Sequence, residues 1–291
     1  MAQPVSAEAV SGGTLYVVAT PIGNLEDVTL RAVRILREVP LAAAEDTRIT
    51  RRLLERCGLS TRLISYHARN AAAREPELLA HLRGGADLAL LTDAGTPLVS
   101  DPGEGLVAAW AAEGGRVVPL PGPSAVLAAL VVSGLPAARW SFEGFLPRGG
   151  RDRRERLARI AVDPRPTVLF EAPGRTVATL RELGTLGGLM RRAVLCRELT
   201  KRHEAIWRGT LGELAERAAA EPPRGEVTLV VAGSTGEATE AAAAAPRADL
   251  EGARAEVRRL VAAGATRSEA ARRVAAATGL PRRTLYGAGE R

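Results

Sequence analysis

Four short segments rich in Gly, Pro and small polar residues have the composition of ligand-binding loops. They are residues 20–24, 93–97 with a continuation to 103, 121–124 and 171–175. Each follows a short apolar run that predicts a β-strand, and α/β proteins bind ligands just outside the carboxyl ends of their strands. Gly lets the backbone approach a flat ligand closely, and Pro fixes the turn. One such segment is most simply a turn, but four at successive strand ends predict a binding cleft.

The sequence lacks the patterns of several other kinds of site. It contains neither a G-x-G-x-x-G nor a G-x-x-x-x-G-K-[ST] pattern, which disfavours a Rossmann or P-loop nucleotide site. His67, His81 and His203 are dispersed, so no metal site is predicted. A G-x-S-x-G nucleophile elbow is also missing, which argues against a serine hydrolase.

Alternating apolar runs and helical patterns predict an α/β fold. In the first half, strands at 14–19, 41–44, 63–66, 87–92 and 116–120 alternate with helices, the first of them capped by Asp27, which predicts a largely parallel sheet. In the second half, strands at 140–145, 167–170, 193–198, 205–208 and 226–231 have fewer helices between them. Because 193–198 and 205–208 are close in sequence, we expect a hairpin and a mixed sheet.

These patterns divide the chain into four parts. We expect an N-terminal α/β domain at 14–122, a C-terminal α/β domain at 123–233, an Ala-rich linker at 234–246 and a basic helical module at 247–291. The module has three short helical segments, 250–263, 267–277 and 281–286, and the last two have a helix–turn–helix outline. We expect an inward apolar face and an outward basic face, formed respectively by Ala271, Val274 and Ala275 and by Arg272, Arg273, Arg282 and Arg283.

The charge distribution suggests a polyanionic partner. The 291 residues include 40 Lys and Arg against 33 Asp and Glu, a net charge of +7, and Lys201 is the only lysine. Residues 247–291 hold ten Arg and five acidic residues, a net of +5, and a second group of arginines lies between 148 and 159. Such groups attract a polyanion, although a solvated helix face is an equally good explanation for either one alone. With only Cys57 and Cys196, no secretory signal and no apolar run long enough to span a membrane, we expect a cytoplasmic protein.

Seven motifs, in order, resemble one family. They occupy residues 20–27 (TPIGNLED), 44–48 (AEDTR), 92–103 (TDAGTP to DPG), 120–125 (LPGPSA), 133–136 (SGLP), 142–147 (FEGFLP) and 197–201 (RELTK). The family is the bacterial ribosomal small-subunit RNA cytidine 2′-O-ribose methyltransferases, within the tetrapyrrole-methylase superfamily of enzymes that use S-adenosyl-L-methionine (AdoMet). The resemblance covers roughly 14–233, and the tail resembles the helical extension of many members.

The resemblance implies a fold, a cofactor and a substrate. The fold would be two α/β domains of the tetrapyrrole-methylase (class III methyltransferase) type, with AdoMet in the cleft between them. The substrate would be a cytidine in the decoding centre of 16S rRNA in the small ribosomal subunit, and the protein would be a homodimer without a metal or a membrane partner. The carried-over cofactor residues are Ile22, Ala94, Gly95, Thr96, Val99, Ser124, Ala125, Glu171 and Leu199. We expect RNA contacts at Arg148, Arg151, Arg153, Arg154, Arg175 and the four outward arginines of the tail.

Three departures from the family pattern concern substrate contacts. The family has His where this chain has Gly174, a second His and a Glu around Asn70, and an acid where this chain has Ala138. If Gly174 replaces a substrate-contacting His, that contact must come from Arg175 or be lost.

The implied reaction needs a group that withdraws the proton of a ribose 2′-hydroxyl. The candidates are Asp46, Asp101, Glu171, Glu198 and Lys201, and of these Lys201, Glu198 and Asp46 are the predicted catalytic residues. Each also has a structural explanation, because Asp46 can cap a helix, Asp101 can brace a turn and Lys201 can hold a phosphate.

Two other functions compete with rRNA methylation. A small-molecule methyltransferase acting on a tetrapyrrole-like acid would also use basic surfaces, but it has no evident use for a separate helical module of net charge +5. An RNA-binding protein without catalysis is disfavoured by the intact loops at 93–103 and 121–125.

Overall fold

The computed structural model describes residues 12–235, 250–278 and 285. The chain divides after Gly233 into two compact units. The first unit contains two five-stranded sheets, and the second is helical. Within the described residues, no helix is both long and apolar enough to cross a membrane.

The first sheet is parallel throughout, with the order β3-β2-β4-β1-β5. Its strands β2 and β4 are apolar at every position and buried on both faces, as expected of a parallel sheet covered by helices. Leu36 and Leu54 pack on one face, and Leu78 and Trp110 pack on the other. The elements are β1 (Thr14–Val18), α1 (Leu30–Glu38), β2 (Leu41–Ala44), α2 (Thr47–Arg56), β3 (Leu63–Ser65), α3 (Ala71–Arg83), β4 (Leu88–Leu91), α4 (Glu104–Ala112) and β5 (Arg116–Leu120).

The second sheet is mixed, with the order β6-β7-β10-β8-β9. Only β6 and β7 run parallel, and β8 and β9 form the predicted antiparallel hairpin. The elements are α5 (Ala125–Ser133), β6 (Ser141–Phe145), α6 (Gly150–Val162), β7 (Thr167–Glu171), α7 (Thr176–Gly187), β8 (Arg192–Arg197), β9 (Ala205–Thr210), α8 (Leu211–Ala220) and β10 (Val227–Val231). Helix α5 packs on one face, and α6, α7 and α8 pack on the other.

One local prediction was wrong. Asp27 does not cap α1, because residues 25–27 form a separate 3-10 turn and the side chain of Thr29 accepts the capping hydrogen bond from the Ala32 N–H. The second sheet has three helices between its strands against four in the first, as predicted. Helix α5, which precedes the second sheet, was not predicted, because it is apolar at almost every position and shows no helical period.

The second unit contains α9 (Leu250–Ala262) and α10 (Arg267–Thr278). Ala271 and Val274 are buried against Ala253, Val257 and Leu285, which confirms the inward face predicted for this helix. Arg272 and Arg273 are exposed, as expected. Most of the predicted linker and of the third helical segment, with Arg282 and Arg283, lies outside the described residues.

The four-part division of the chain stays a prediction. Its first boundary, between 122 and 123, falls in the loop that joins β5 to α5.

Candidate active site

A cavity of about 340 Å³ lies where the loops of the two sheets meet. Loops after β1, β4 and β5 form one side, and the end of β6, the loop after β7 and the segment leading into β10 form the other. The loops after β1, β4, β5 and β7 are those at which the sequence predicts a cleft, whereas Glu45 after β2, the end of β6 and the segment leading into β10 were not predicted. The lining residues used below are Ile22, Glu45, Asp93, Ala94, Gly95, Thr96, Val99, Ser100, Asp101, Ser124, Ala125, Phe145, Phe170, Glu171 and Glu226.

Hydrogen bonds between loops fix the first-sheet side of the cavity. Thr20 and Gly95 exchange backbone hydrogen bonds, 2.8 Å from Thr20 N to Gly95 O and 3.0 Å from Gly95 N to Thr20 O. The Thr96 hydroxyl donates to Pro123 O at 3.3 Å, which ties the same loop to the start of α5. Gly95 has a φ of +84°, and a Cβ there would lie 3.6 Å from Ile22 Cγ2. The loops after β1, β4 and β5 are therefore held together as one wall.

Backbone strain is concentrated in the segments around this site. Four non-glycine residues have positive φ in the described structure: Leu98 at 73°, Ser100 at 73°, Glu198 at 51° and Thr200 at 65°. The first two lie in the loop after β4, and the others lie just after β8. Such conformations cost about 1–3 kcal/mol each and persist where the surrounding structure enforces them, often at functional sites.

Three carboxylates on the first-sheet side surround Thr92. Its hydroxyl donates to Glu45 Oε2 at 2.7 Å, and the Asp93 N–H points to the same oxygen at 3.4 Å. Asp93 Oδ1 accepts from the Asp46 N–H at 2.8 Å, and burial raises the pKa of Asp93. Burial also raises the pKa of Asp101 to about 6, and the charges of Glu45 and Asp93 act in the same direction, against a hydrogen bond with Thr92. The pKa of the Asp101 carboxyl group is therefore close to neutral pH.

Glu171 is fully buried, and its charge is balanced within the protein. Its Oε1 lies 2.5 Å from Arg175 Nη2, and its Oε2 accepts from the Thr179 hydroxyl at 2.5 Å. Arg153 Nη1 lies 3.9 Å from the same Oε2. Glu171 therefore supplies a neutralised, fixed part of the cavity wall.

The structure removes Arg153 from the predicted RNA contacts. This residue is 6% exposed, and its guanidinium donates to Glu182, to the Thr179 hydroxyl and to Pro147 O. The prediction was wrong because the helical register of α6 turns Arg153 inward, between exposed Asp152 and Arg154. Arg175 is half-buried and shared between Glu171 and Leu146 O.

The remaining predicted RNA contacts of the first unit lie on the surface. Arg148, Arg151 and Arg154 are exposed, and Arg151 pairs with Glu155 one helical turn away. Gly174 is exposed too, and a Cβ at Gly174 would meet no atom within 4 Å. A side chain at this position would therefore have open space in this fold.

Lys201 and Glu198 form an ion-pair cluster beside the cavity. Lys201 Nζ lies 3.0 Å from Glu198 Oε1 and 3.1 Å from Glu226 Oε2, and the Glu226 N–H donates to Glu198 Oε1 at 2.9 Å. The hydrogen bond from Glu226 and the charge of Lys201 lower the pKa of Glu198. Of these three residues, only Glu226 lines the cavity, and Lys201 lines an adjoining open groove with Arg56 and Arg202. The cluster thus joins the loop after β8 to the segment that enters β10.

Asp46 has the structural role that the sequence left open. Its side chain caps α2 by accepting from the Arg48 N–H at 2.8 Å, and it pairs with the Arg48 guanidinium at 2.5 Å. These contacts with Arg48 lower the pKa of Asp46 to about 2. A carboxylate with so low a pKa is a poor proton acceptor.

Eight of the nine expected cofactor residues line the cavity. Leu199 is the exception, because it is buried in an apolar cluster with Ile22 and Val126. Sequence reasoning missed Glu45, Phe145 and Phe170 as lining residues. The three phenylalanines of the chain form one cluster, in which Phe170 lies 5.1 Å from Phe142 and 5.3 Å from Phe145 between ring centroids. Phe145 and Phe170 stand at the ends of the predicted strands 140–145 and 167–170, which was the available signal.

A metal centre has no support in the described residues. No group of three or more His, Cys, Asp or Glu side chains is placed to hold an ion there.

The fold and the site define a class of protein. The sequence profile of the family described as Tetrapyrrole (Corrin/Porphyrin) Methylases matches residues 14–215, which is more than half of the chain. The chain belongs to this family, and it is a methyltransferase.

Two relatives of similar length share almost half of their residues with this chain. The chain is 48% identical over 274 residues to a Synechocystis sp. protein named "Ribosomal RNA small subunit methyltransferase I", covering 94% of this chain and 96% of the relative. A Xylella fastidiosa protein of the same name is 45% identical over 94% of this chain and 98% of its own.

Solved structures share the fold at lower sequence identity. A cobalt precorrin-4 methyltransferase is 16% identical with a TM-score of 0.60, over 75% of this chain and 94% of its own. A uroporphyrin-III C-methyltransferase from Thermus thermophilus, complexed with S-adenosyl homocysteine, is 24% identical with a TM-score of 0.55, over 79% of this chain and 100% of its own.

Proposed function

We propose that this protein transfers a methyl group from AdoMet to a ribose 2′-oxygen of a cytidine in the decoding centre of small-subunit ribosomal RNA. The observation that carries the proposal is the 48% identity over 94% of the chain to a protein named as an rRNA small subunit methyltransferase. The tetrapyrrole enzymes share only the fold with this chain, so a tetrapyrrole substrate has no comparable support.

The cavity fits AdoMet in size and in chemistry. Its volume of about 340 Å³ lies within the range of roughly 300–1,000 Å³ for small-molecule sites. Ile22, Val99 and Ala125 offer apolar surface for a purine, and Gly95 keeps the backbone free of a side chain between the walls. Glu45 and Asp93 offer negative charge to a ligand that carries a sulfonium and an ammonium group. When bound, AdoMet supplies an electrophilic methyl group whose leaving group is a neutral thioether.

The residues of this chain then have to orient the ribose and accept its proton. Glu198 and Lys201 are engaged with each other and with Glu226, so we assign them to holding the cavity edge in place. Lys201 faces the groove that also contains Arg56 and Arg202, where an RNA phosphate next to the target nucleotide would find positive charge.

Arginine side chains on two surfaces would bind the RNA backbone. On the first unit these are Arg148, Arg151 and Arg154, and on the helical unit they are Arg272 and Arg273, with Arg282 and Arg283 outside the described residues.

Phosphate contacts release counterions, so deletion of 247–291 should weaken RNA binding and flatten its dependence on salt. AdoMet affinity should not change. If the plots of log K against log salt concentration have equal slopes for the truncated and full-length proteins, the tail does not bind RNA.

The deciding experiment is methylation of purified small ribosomal subunits and of naked 16S rRNA that lack ribose methylation. Mass spectrometry of RNase fragments should show one new 2′-O-methylcytidine in the decoding centre. Gly95→Val serves as the cofactor-deficient control. Methylation of a base, of another ribose or of an added uroporphyrinogen in place of RNA would contradict the proposal.

Sedimentation of the purified protein tests the expected homodimer, and cell fractionation tests the expected cytoplasmic location.

A further inference from the structure

The charged residues that line the cavity are all acidic. They are Glu45 after β2, Asp93 and Asp101 after β4, Glu171 at the end of β7 and Glu226 before β10. No Lys, Arg or His side chain of the described residues contributes to this lining. The five carboxylates differ in the residues outside the cavity lining with which they form ion pairs and hydrogen bonds.

Four of the five carboxylates form an ion pair or accept a main-chain hydrogen bond. Glu171 is balanced by Arg175 and Arg153, and Glu226 pairs with Lys201. Asp93 accepts the Asp46 N–H, and Glu45 accepts the Thr92 hydroxyl and the Asp93 N–H. Each of these contacts favours the charged form of its carboxylate, although burial outweighs the contact at Asp93 and raises its pKa.

Asp101 differs from the other four. No ion pair or main-chain hydrogen bond to its carboxylate occurs among the described residues, and its one polar neighbour is the side chain of Thr92. Leu98 and Ser100, both with a φ of 73°, shape the turn that presents Asp101, and Gly103 at the start of α4 has a φ of 133°. A strained turn that carries an unpaired carboxylate to the edge of a ligand cavity is costly, which indicates a functional need.

We propose that Asp101 is the catalytic residue that accepts the proton of the attacking hydroxyl group. This inference rests on the proposed function, because it takes the attacking group to be a ribose 2′-hydroxyl. The 2′-oxygen forms a bond to the methyl carbon while the carbon–sulfur bond breaks and its electron pair stays on sulfur. The hydroxyl proton passes to an Oδ atom of Asp101. One positive and one negative charge disappear together, and no other reactant is needed.

The proton affinity of Asp101 fits this role. Burial, with Glu45 and Asp93 on the adjacent loops, raises its pKa to about 6, whereas Arg48 lowers the pKa of Asp46 to about 2. A base with a pKa near the working pH combines a large deprotonated fraction with a useful driving force for proton transfer. The predicted candidates Asp46 and Glu198 have lowered pKa values and lack this advantage.

The test compares Asp101→Asn with the control variant Glu104→Gln. Glu104 is an exposed acidic residue three positions further along the chain, and it does not line the cavity. Single-turnover methyl transfer to small-subunit RNA is measured between pH 5 and 8.5, and AdoMet affinity is measured by calorimetry. We expect Asp101→Asn to slow transfer roughly 100-fold or more, the usual range for a general base. Its AdoMet affinity should stay within about twofold, and Glu104→Gln should match the parent in both.

Two further readouts separate catalysis from structure. In a plot against pH, the logarithm of the parent's single-turnover rate should rise with unit slope up to a pH of about 6 and then level off. This rise should be absent in Asp101→Asn. Carbon-13 NMR of labelled aspartates should show a carboxyl resonance with a pKa of about 6 that disappears in Asp101→Asn. Asp101→Glu, which keeps a carboxylate, should recover part of the rate.

Several outcomes would overturn the proposal. If AdoMet affinity falls as far as the rate, Asp101 holds the methyl donor instead. A rate within threefold of the parent, or an ordinary aspartate pKa by NMR, would exclude it as the acceptor. A parent protein that binds AdoMet but methylates no ribose would overturn the proposed function itself, a result visible without any variant.

Discussion

Replacement of Arg153 is the sharpest test of how α6 is anchored. Its guanidinium is buried and donates at 2.6 and 2.9 Å to Glu182 Oε2, at 2.8 Å to the Thr179 hydroxyl and at 3.0 Å to Pro147 O. Removing one partner of a buried ion pair costs about 3–5 kcal/mol. Because Glu171 keeps Arg175 and Glu182 is half-exposed, we expect Arg153→Met to cost about 3 kcal/mol, at the lower end of this range.

The matched control is Arg154→Met, at the next position and on the solvent side of α6. A surface change of this kind should alter the free energy of unfolding by less than about 0.5 kcal/mol. Urea unfolding followed by circular dichroism measures both variants, and filter binding measures their RNA affinity. We expect Arg153→Met to lower stability alone and Arg154→Met to lower RNA affinity alone. Equal stabilities together with weaker RNA binding by Arg153→Met would show that Arg153 is a surface residue, contrary to the structure.

Three further predictions concern the cavity and its edge. Because burial raises the pKa of Asp101 from 3.8 to about 6, stability should fall as pH rises through this interval, and Asp101→Asn should remove the effect and be about 2 kcal/mol more stable at pH 8. Equal stability of parent and variant at pH 4 and at pH 8 in urea unfolding would contradict this. Gly95→Val should weaken AdoMet binding at least 100-fold by calorimetry, whereas Gly134→Val, at a similar φ of 69° in open space, should only lower stability. Lys201→Met should lower the single-turnover rate and leave AdoMet affinity nearly unchanged, and an unchanged rate would exclude Lys201 from any role in turnover.

The fold was predictable where the sequence carries a period or a turn signal. The apolar runs at 41–44 and 116–120 match β2 and β5, and the short connection between 198 and 205 matches the hairpin. Helix α5 was missed because it is buried and apolar nearly all round, so neither a strand period nor a helix period appears. The cap of α1 was misplaced because Asp27 and Thr29 are both good N-cap residues, and only the backbone decides between them.

The site was predictable at the level of loops rather than of individual charges. Gly- and Pro-rich composition and the family resemblance located the cavity wall around Gly95 and Ser124. The inward turn of Arg153 and the separate environments of Asp46 and Asp101 depend on burial and on which groups the fold brings near each carboxylate. Residues as far apart in sequence as Glu45 and Asp101 set these environments, so no local pattern reports them.

The all-acidic lining of the cavity bears on how the enzyme releases its spent cofactor. AdoMet enters with a positive sulfur and leaves, after transfer, with a neutral one. In the proposed site Glu45 and Asp93, which form no ion pair among the described residues, attract the charged form more strongly than the neutral form, so the cavity itself favours exchange of product for fresh donor. The same attraction would oppose the loss of charge during transfer. A proton moving onto Asp101 offsets that opposition, and the enzyme then resets when the proton leaves to solvent.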